Sequence, residues 1–341
     1  MPRTQAEDLA AIDGSLERRR EDALDLLAPY PSLLLAVSGG PDSVALMLLC
    51  AQWSLRGTHE IAVATVDHQL RKEARKEAEE VGRWARALGY AHHLLTWQDE
   101  KPETRLQERA RQARYALLTD CARRIGASAI VLAHHSDDQA ETVLFRLTRG
   151  SGVAGLAGMT RVARCDDIAL LRPLLDLRKE ELEAICAHAK HPFFRDPSNE
   201  DESFARARLR KLAPVLEAQG LSREALLRLG ARAARADAAL AHCAAETLDR
   251  ALRRNEASCV ELDAATLCEA PLEILQRALA SAILRLAPNA ALRLERLERA
   301  SARVAASLSA RKSVRTTLAD VLIEASGGRV RLRRAPPRRS R

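Results

Sequence analysis

The chain has 341 residues, 47% hydrophobic and 29% charged, a balance that suits a soluble globular protein of two domains with a sizeable buried core. Its amino-terminal segment MPRTQAEDLAAIDG is polar and acidic, and its longest apolar run, Val44–Ala51, is too short for a bilayer; a secretory signal and a spanning helix are excluded, and a cytoplasmic location is expected. Residues 1–200 carry 27 Lys and Arg against 30 Asp and Glu, whereas residues 201–341 carry 27 against 16, so a basic part that suits a polyanion, or a merely solvated Arg-rich one, follows a near-neutral part.

The first 150 residues alternate apolar runs at Leu33–Val37, Ile61–Val66, Ala91–Trp97 and Ala129–Ala133 with helical patterns at Asp42–Trp53, Arg71–Leu88 and Glu103–Gly126. Strands without polar alternation, each followed by a helix, read as an α/β doubly wound parallel sheet covered on both faces. Asp137–Leu147 supplies a further helix, and the glycine-rich Gly150–Gly158 reads as a loop. A strand near Ile168–Leu171, a helix at Arg178–Lys190 and the turn-rich HPFFRDPSN extend this domain to about residue 215, with a linker expected at Pro214–Ser222. A mainly helical, basic domain is expected over 216–334: a long helix Ser222–Arg254 with Ser222 as N-cap, helices at Pro271–Leu286 and Ala291–Leu308, and a closing hairpin about Ser326–Gly328. Residues 335–341 read as a disordered basic tail. The seven cysteines, scattered and never spaced as CxxC, read as free thiols in a reducing compartment. Aromatics make up 3%, too few for a base-stacking platform.

Two segments carry chemistry. In the first, LLLAVSGGPDS, a buried strand runs into a helix start, where unpaired backbone N–H groups and the helix dipole favour an anion. Ser38, Gly39, Gly40, Pro41, Asp42 and Ser43 form this loop; its glycines let backbone approach a ligand and its serines add hydroxyl donors. No GxxxxGK[ST] is present, which excludes a P-loop with its lysine. In the second, AIVLAHHSDDQAET, a strand ends at His134 and His135 and a helix starts near Asp137. Asp138, Glu141 and Thr142 fall on one face of that helix, at the strand edge where parallel sheets bind ligands. His68, after the second strand, lies at the same edge. For Asp137 and Asp138 helix N-capping is the competing reading, and for the histidines phosphate contact and plain packing both stand. Arg111 and Arg114 lie three apart on a helix and suit phosphate, or form a solvated face.

In order, SGGPDS (38–43), VDHQLR (66–71), ARQARY (110–115), HHSDDQAET (134–142), RGSGVAGLAGM (149–159), RPLL (172–175) and DPSN (196–199) resemble the amino-terminal domain of the tRNA(Ile)-lysidine synthases, which belong to the PP-loop ATP pyrophosphatases. The resemblance covers about the first 215 residues. It implies that ATP adenylates C2 of the wobble cytidine in a CAU-anticodon tRNA(Ile), releasing pyrophosphate, and that free L-lysine then displaces AMP. It also implies Mg2+ held by Asp42 and Asp138, with Asp138 as catalytic group beside Asp42, and Arg149, Arg206 and Arg210 as tRNA contacts. Ala207 stands where the family carries asparagine, which leaves an amide role there open. A tRNA thiolase or a small-molecule amide synthetase on the same fold is the alternative; the absence of CxxC speaks against the first, and the basic carboxyl-terminal part against the second.

Overall fold

The computed structural model describes residues 17–54, 59–71, 73–102, 106–195 and 205–335. The chain divides into two compact units, one running to Arg149 and again from Gly158 to Gly230, the other made of Gly150–Ala157 and the residues from Ala231 onward.

The first unit is built on a six-stranded sheet. In chain order it holds β1 (Ser32–Ala36), α1 (Pro41–Ser54), β2 (Glu60–Asp67), α2 (Ala74–Ala87), β3 (Ala91–Thr96), α3 (Leu106–Ile125), β4 (Ala129–Val131) and α4 (Ser136–Leu147). The strand order is β3-β2-β1-β4-β6-β5, parallel except for the edge hairpin of β5 (Val162–Cys165) and β6 (Ile168–Leu171). Winding proceeds outward from β1 to β2 and β3, then restarts on the other side at β4. The carboxyl ends of β1 and β4 are therefore the switch point, where an open parallel sheet leaves a crevice.

Burial of β1 explains its uninterrupted apolar sequence. Leu33 and Leu35 face one core with Val44 and Met47 of α1, while Leu34 faces the other with Leu118 of α3 and Ile130 of β4; all are fully buried. Helix α6 (Lys179–His188) follows and packs on α1. Next come α7 (Ala205–Ala218) and α8 (Arg223–Ala251). Leu226 joins Ala140, Val143 and Leu144 of α4 in a small core flanked by Leu209 and Leu216 of α7. Ser222 does cap α8, its Oγ accepting the Ala225 amide at 3.2 Å.

Three expectations change. Pro214 opens no linker but lies inside α7; packing of Leu209 and Leu216 outweighs the single backbone hydrogen bond a proline deletes. The glycine-rich segment is not all loop, because Val153–Leu156 forms one helical turn, α5. In the second unit the expected helices stand as α10 (Leu272–Leu286) and α11 (Leu294–Ser309), preceded by a short α9 (Ala264–Glu269), but the hairpin is part of a larger five-stranded antiparallel sheet. Its order is β7-β8-β11-β10-β9, with β7 Leu252–Glu256, β8 Cys259–Asp263, β9 Val314–Leu318, β10 Val321–Ser326 and β11 Arg329–Arg334. Of the expected tail 335–341, Ala335 is held by the sheet, its amide donating to Asp320 O at 2.7 Å; residues 336–341, the DPSN segment and the side chains of Arg206 and Ala207 lie outside the described residues.

Candidate active site

The loop after β1 folds around one hydroxyl. Ser43 Oγ accepts the amides of Ser38 (3.1 Å) and Gly39 (3.2 Å) and donates to Gly40 O (3.0 Å). Gly39 has φ +89°, and a Cβ there would stand 2.8 Å from the Phe194 ring and 3.0 Å from Val81. Phe194 comes from the turn-rich segment after α6. Its amide donates to Gly39 O at 2.9 Å and its ring stacks on Trp84 at 5.1 Å. Gly40 has nothing nearer than 3.8 Å to its missing Cβ, so the loop's backbone stays approachable at the amino end of α1.

Across the switch point, two acidic groups at the start of α4, Asp137 and Asp138, gather on His135 with Asp42 of α1. The ring is buried, with Nε2 at 3.6 Å from Asp42 Oδ2 and 3.5 Å from Asp138 Oδ2, and Nδ1 at 3.4 Å from Asp137 Oδ2. Burial disfavours charge on the imidazole, but Asp137, Asp42 and Asp138 outweigh it and the ring is pushed up to about 10. His135 is therefore an imidazolium at neutral pH, a fixed positive charge beneath the loop.

The two adjacent aspartates differ in what surrounds them. Asp137 accepts the Lys179 amide at 3.0 Å and meets Arg223 Nη1 at 3.3 Å. Although burial would raise it, His135, the Lys179 amide and Arg223 hold its carboxyl well below the usual carboxylate range. Asp138 accepts the His135 amide at 3.1 Å, which caps α4. Burial pushes its carboxyl up and, although His135 pulls it down, the neighbouring Glu141 and Asp42 add to the rise. Glu141 is itself held by both donors of the Arg210 fork, the Arg210 Nη2 contact measuring 2.9 Å. N-capping and participation in the site thus coincide at Asp138, whereas Asp137 is tied to α6 and α8.

Asp42 Oδ1 is buried without a hydrogen-bond partner. With Asp138 it offers hard oxygen donors on either side of one imidazole nitrogen, a pair that fits Mg2+ when nucleotide phosphates complete the shell. Among the described residues no three His, Cys, Asp or Glu side chains form a cage that would hold a metal by themselves; a site that shares its ion with phosphates needs none.

A second cluster is cationic. His134 is held down to about 3 by burial and by Arg172, Arg114 and Arg111, so it is neutral. His68 is lowered by burial and by Arg114, and its ring meets Trp97 edge-on at 5.9 Å. Arg111 donates to Tyr115 OH at 3.2 Å, and the Arg114 guanidinium lies 5.7 Å from the same ring. Of the remaining candidates, Thr142 is buried, and Arg149 is exposed with its guanidinium 4.2 Å from the Phe145 ring.

Four residues outside the candidate set belong to this architecture. Arg223 reaches Asp137 from 86 positions downstream, and Phe194 closes on the loop. Buried Arg172 donates to Thr160 O at 2.9 Å. Gln139 clamps Met159 by its backbone, accepting from its N–H (2.7 Å) and donating to its carbonyl (2.9 Å). Arg172 stands in the RPLL segment and Gln139 in HHSDDQAET, so the sequence marked their neighbourhood without their partners.

Residues 15–216 match the model of a family described as the PP-loop domain. With the doubly wound sheet, the SGGPDS loop at its switch point and the carboxylates opposite, this defines an ATP-using enzyme of the PP-loop class. Over 312 residues the chain is 49% identical to the tRNA(Ile)-lysidine synthase of Methylobacterium sp. (strain 4-46), covering 90% of each chain. It is 41% identical over 358 residues to that of Bradyrhizobium sp. (strain BTAi1), covering 99% of this chain and 98% of the relative. The chain belongs to the tRNA(Ile)-lysidine synthase family. Among solved structures, the U34-tRNA thiolase NcsA of Methanococcus maripaludis, with its [4Fe-4S] cluster, matches with a TM-score of 0.54 at 13% identity, covering 64% of this chain and 78% of that one, a likeness of fold alone. The seven cysteines here are all free. Among the described residues no helix is long and apolar enough to cross a membrane.

Proposed function

We propose that the protein acts in the cytoplasm on tRNA(Ile) bearing a CAU anticodon, joining free L-lysine to C2 of the wobble cytidine at the expense of ATP. The cytidine C2 oxygen attacks the α-phosphorus of ATP, forming an O–P bond as pyrophosphate leaves. The lysine side-chain amine then attacks C2, forming the C–N bond as AMP departs. The observation that carries this reading is the meeting, at one switch point, of the amide-rich Ser38–Ser43 loop with Asp42, His135 and Asp138.

The roles follow from charge. The loop amides that Ser43 Oγ does not engage, with the α1 amino terminus, hold the pyrophosphate oxygens. The His135 imidazolium offsets negative charge between the two aspartates. Mg2+, held by Asp42 and Asp138, supplies electrostatic neutralisation of the phosphates when bound. An ammonium must lose its proton before it can attack, at about 4.6 kcal/mol at pH 7 for a group with a reference pKa of ~10.4. Asp138, with its carboxyl pushed up by burial, is the better placed of the aspartates to take that proton. The neutral His134 and the arginines Arg111, Arg114 and Arg172 offer a binding wall for phosphate or nucleobase. The basic part of the chain grips the tRNA.

The test is incubation of purified protein with ATP, labelled lysine and tRNA(Ile) transcripts differing only in the anticodon. Label should enter the CAU transcript in an ATP-dependent way; labelling of neither transcript, or equal labelling of both, contradicts the proposal.

A further inference from the structure

The sheet of the second unit has one packed face and one open face. Val260, Leu262, Ile323, Val330 and Leu332 turn inward and are fully buried in the core formed with α10 and α11. Their neighbours turn outward, as strand alternation requires. On the open side the register aligns one row across all five strands: Arg315 opposite Glu324, Glu324 opposite Arg331, Arg331 opposite Glu261, and Glu261 opposite Arg254. Glu261 accepts from Arg329 (2.8 Å) and Arg331 (3.1 Å). Glu324 accepts from Arg333 (2.5 Å) and lies 3.4 Å from Arg315.

The depths of these side chains differ. The acidic side chains lie low, 10% exposed for Glu261 and 26% for Glu324, whereas the side chains of Arg315, Arg329, Arg331 and Arg333 are 44–68% exposed. Two carboxylates thus anchor four forks from beneath. A guanidinium has five N–H donors, and each anchor uses only one or two. Arg315, Arg329 and Arg331, with Ser313, Ser326 and the anchoring Glu324, line a concavity of about 290 Å³. Along β11, Arg329, Arg331 and Arg333 recur every second residue, about 6.6 Å apart, close to the step between successive phosphates of a nucleic-acid strand. Across this face the register sets Arg254, Arg315, Arg329, Arg331 and Arg333 among Glu256, Glu261, Asp263 and Glu324, and the arginine side chains of β9 and β11 stand further into solvent than Glu261 and Glu324.

We infer that this open face is a docking surface for the phosphate backbone of RNA, with Glu261 and Glu324 orienting the arginine forks. The inference rests on the reading of the chain as a tRNA-modifying enzyme and adds which surface takes the RNA. Oriented guanidiniums bind phosphate oxygens in pairs, and each phosphate neutralised releases counterions, so the binding is salt-sensitive.

The test measures binding of the full-length protein to a tRNA(Ile) transcript across a salt series. The variants are Arg315→Gln with Arg333→Gln, and Arg329→Gln with Arg331→Gln; Arg296→Gln with Arg299→Gln on the exposed side of α11 makes the same charge change elsewhere. Each sheet pair should weaken binding roughly tenfold or more and flatten the log Kd against log salt slope by about one for every phosphate left without its arginine. The α11 pair should stay within about twofold of the unaltered protein. If removing its partners from Glu261 unfolds the second variant, the first decides alone. Sheet variants that bind like the α11 control, with only their melting temperature changed, would make the ladder structural and overturn the inference. Loss of a concentration-dependent dimer at unchanged tRNA affinity would overturn it too, by assigning the face to a second copy. Failure of the unaltered protein to bind tRNA would bring down the underlying reading as well, a result distinct from failure of the face alone.

Discussion

Asp137 and Asp138 are adjacent, identical in chemistry and different in surroundings. Asp137 is engaged by the Lys179 amide and Arg223, and His135 lies beside it. Asp138 shares His135 with Asp42 and has its carboxyl pushed up by burial. Replacement of Asp138 by Asn keeps size and the capping of the His135 amide but removes charge and basicity. Asp138→Asn is expected to lower lysine incorporation by about two orders of magnitude or more, the range of a lost general base. If only the base role is lost, pyrophosphate release continues and adenylated tRNA accumulates; if the metal role is lost, pyrophosphate release stops as well. Asp137→Asn should retain more turnover and lose stability instead, because it strands part of Arg223. Parallel assays of pyrophosphate release, lysine incorporation and thermal unfolding separate these outcomes, and an inactive Asp137→Asn beside an active Asp138→Asn would reverse the assignment. The neighbouring histidines make an opposite pair. His135, raised to about 10, binds more protons folded than unfolded above its reference value of ~6.5; its contribution is complete below that value and is lost as pH rises toward 10. His134, lowered to about 3, binds fewer protons folded; its neutrality favours the native state above ~6.5, and that advantage is lost as pH falls toward 3. Melting curves from pH 5 to 9 should show His134→Gln flattening the acid limb and His135→Gln the alkaline limb. An unchanged alkaline limb in His135→Gln contradicts the imidazolium assignment.

The β1–loop–α1 junction was the most legible element in the sequence, for a physical reason. A strand buried on both faces must be apolar throughout, and a loop that exposes backbone amides needs glycine, so SGGPDS after LLLAV leaves few readings. Gly39 makes this specific: its positive φ and the Phe194 ring leave no room for a side chain. Gly39→Ala should therefore destabilise the first unit by roughly 1–3 kcal/mol through strain and displaced packing, and weaken ATP binding more than a mutation of equal thermal cost far from the loop. Denaturant unfolding with nucleotide titration checks both, and normal nucleotide affinity would show that the loop backbone tolerates the shift. What the sequence hid was partnership. That Gln139 holds Met159, or Arg223 holds Asp137, depends on chain segments distant in sequence, and no local period records it. Strands β7 and β8 were hidden because LRRNE and CVELD are short and charged, with no glycine at the turn between them. Helix α7 was hidden by Pro214, whose local signal is overridden by packing on α4.

At the level of the whole chain, the uneven charge was visible from the start, but its geometry was not. Residues 201–341 carry the excess of arginine, and part of it stands in rows that only the register of an antiparallel sheet creates. Charge alone cannot separate an RNA-modifying enzyme from an RNA-binding protein, and an ATP site alone cannot separate it from a small-molecule synthetase. Both features in one chain make a specific demand: activation of ATP must wait for RNA, because the group that attacks the α-phosphorus belongs to the RNA. The most direct measurement is ATP–pyrophosphate exchange by the purified protein, without lysine, with and without tRNA(Ile). Exchange that appears only when tRNA carrying CAU is added is the predicted result; exchange in the absence of RNA, driven by a small molecule or by none, would contradict the account.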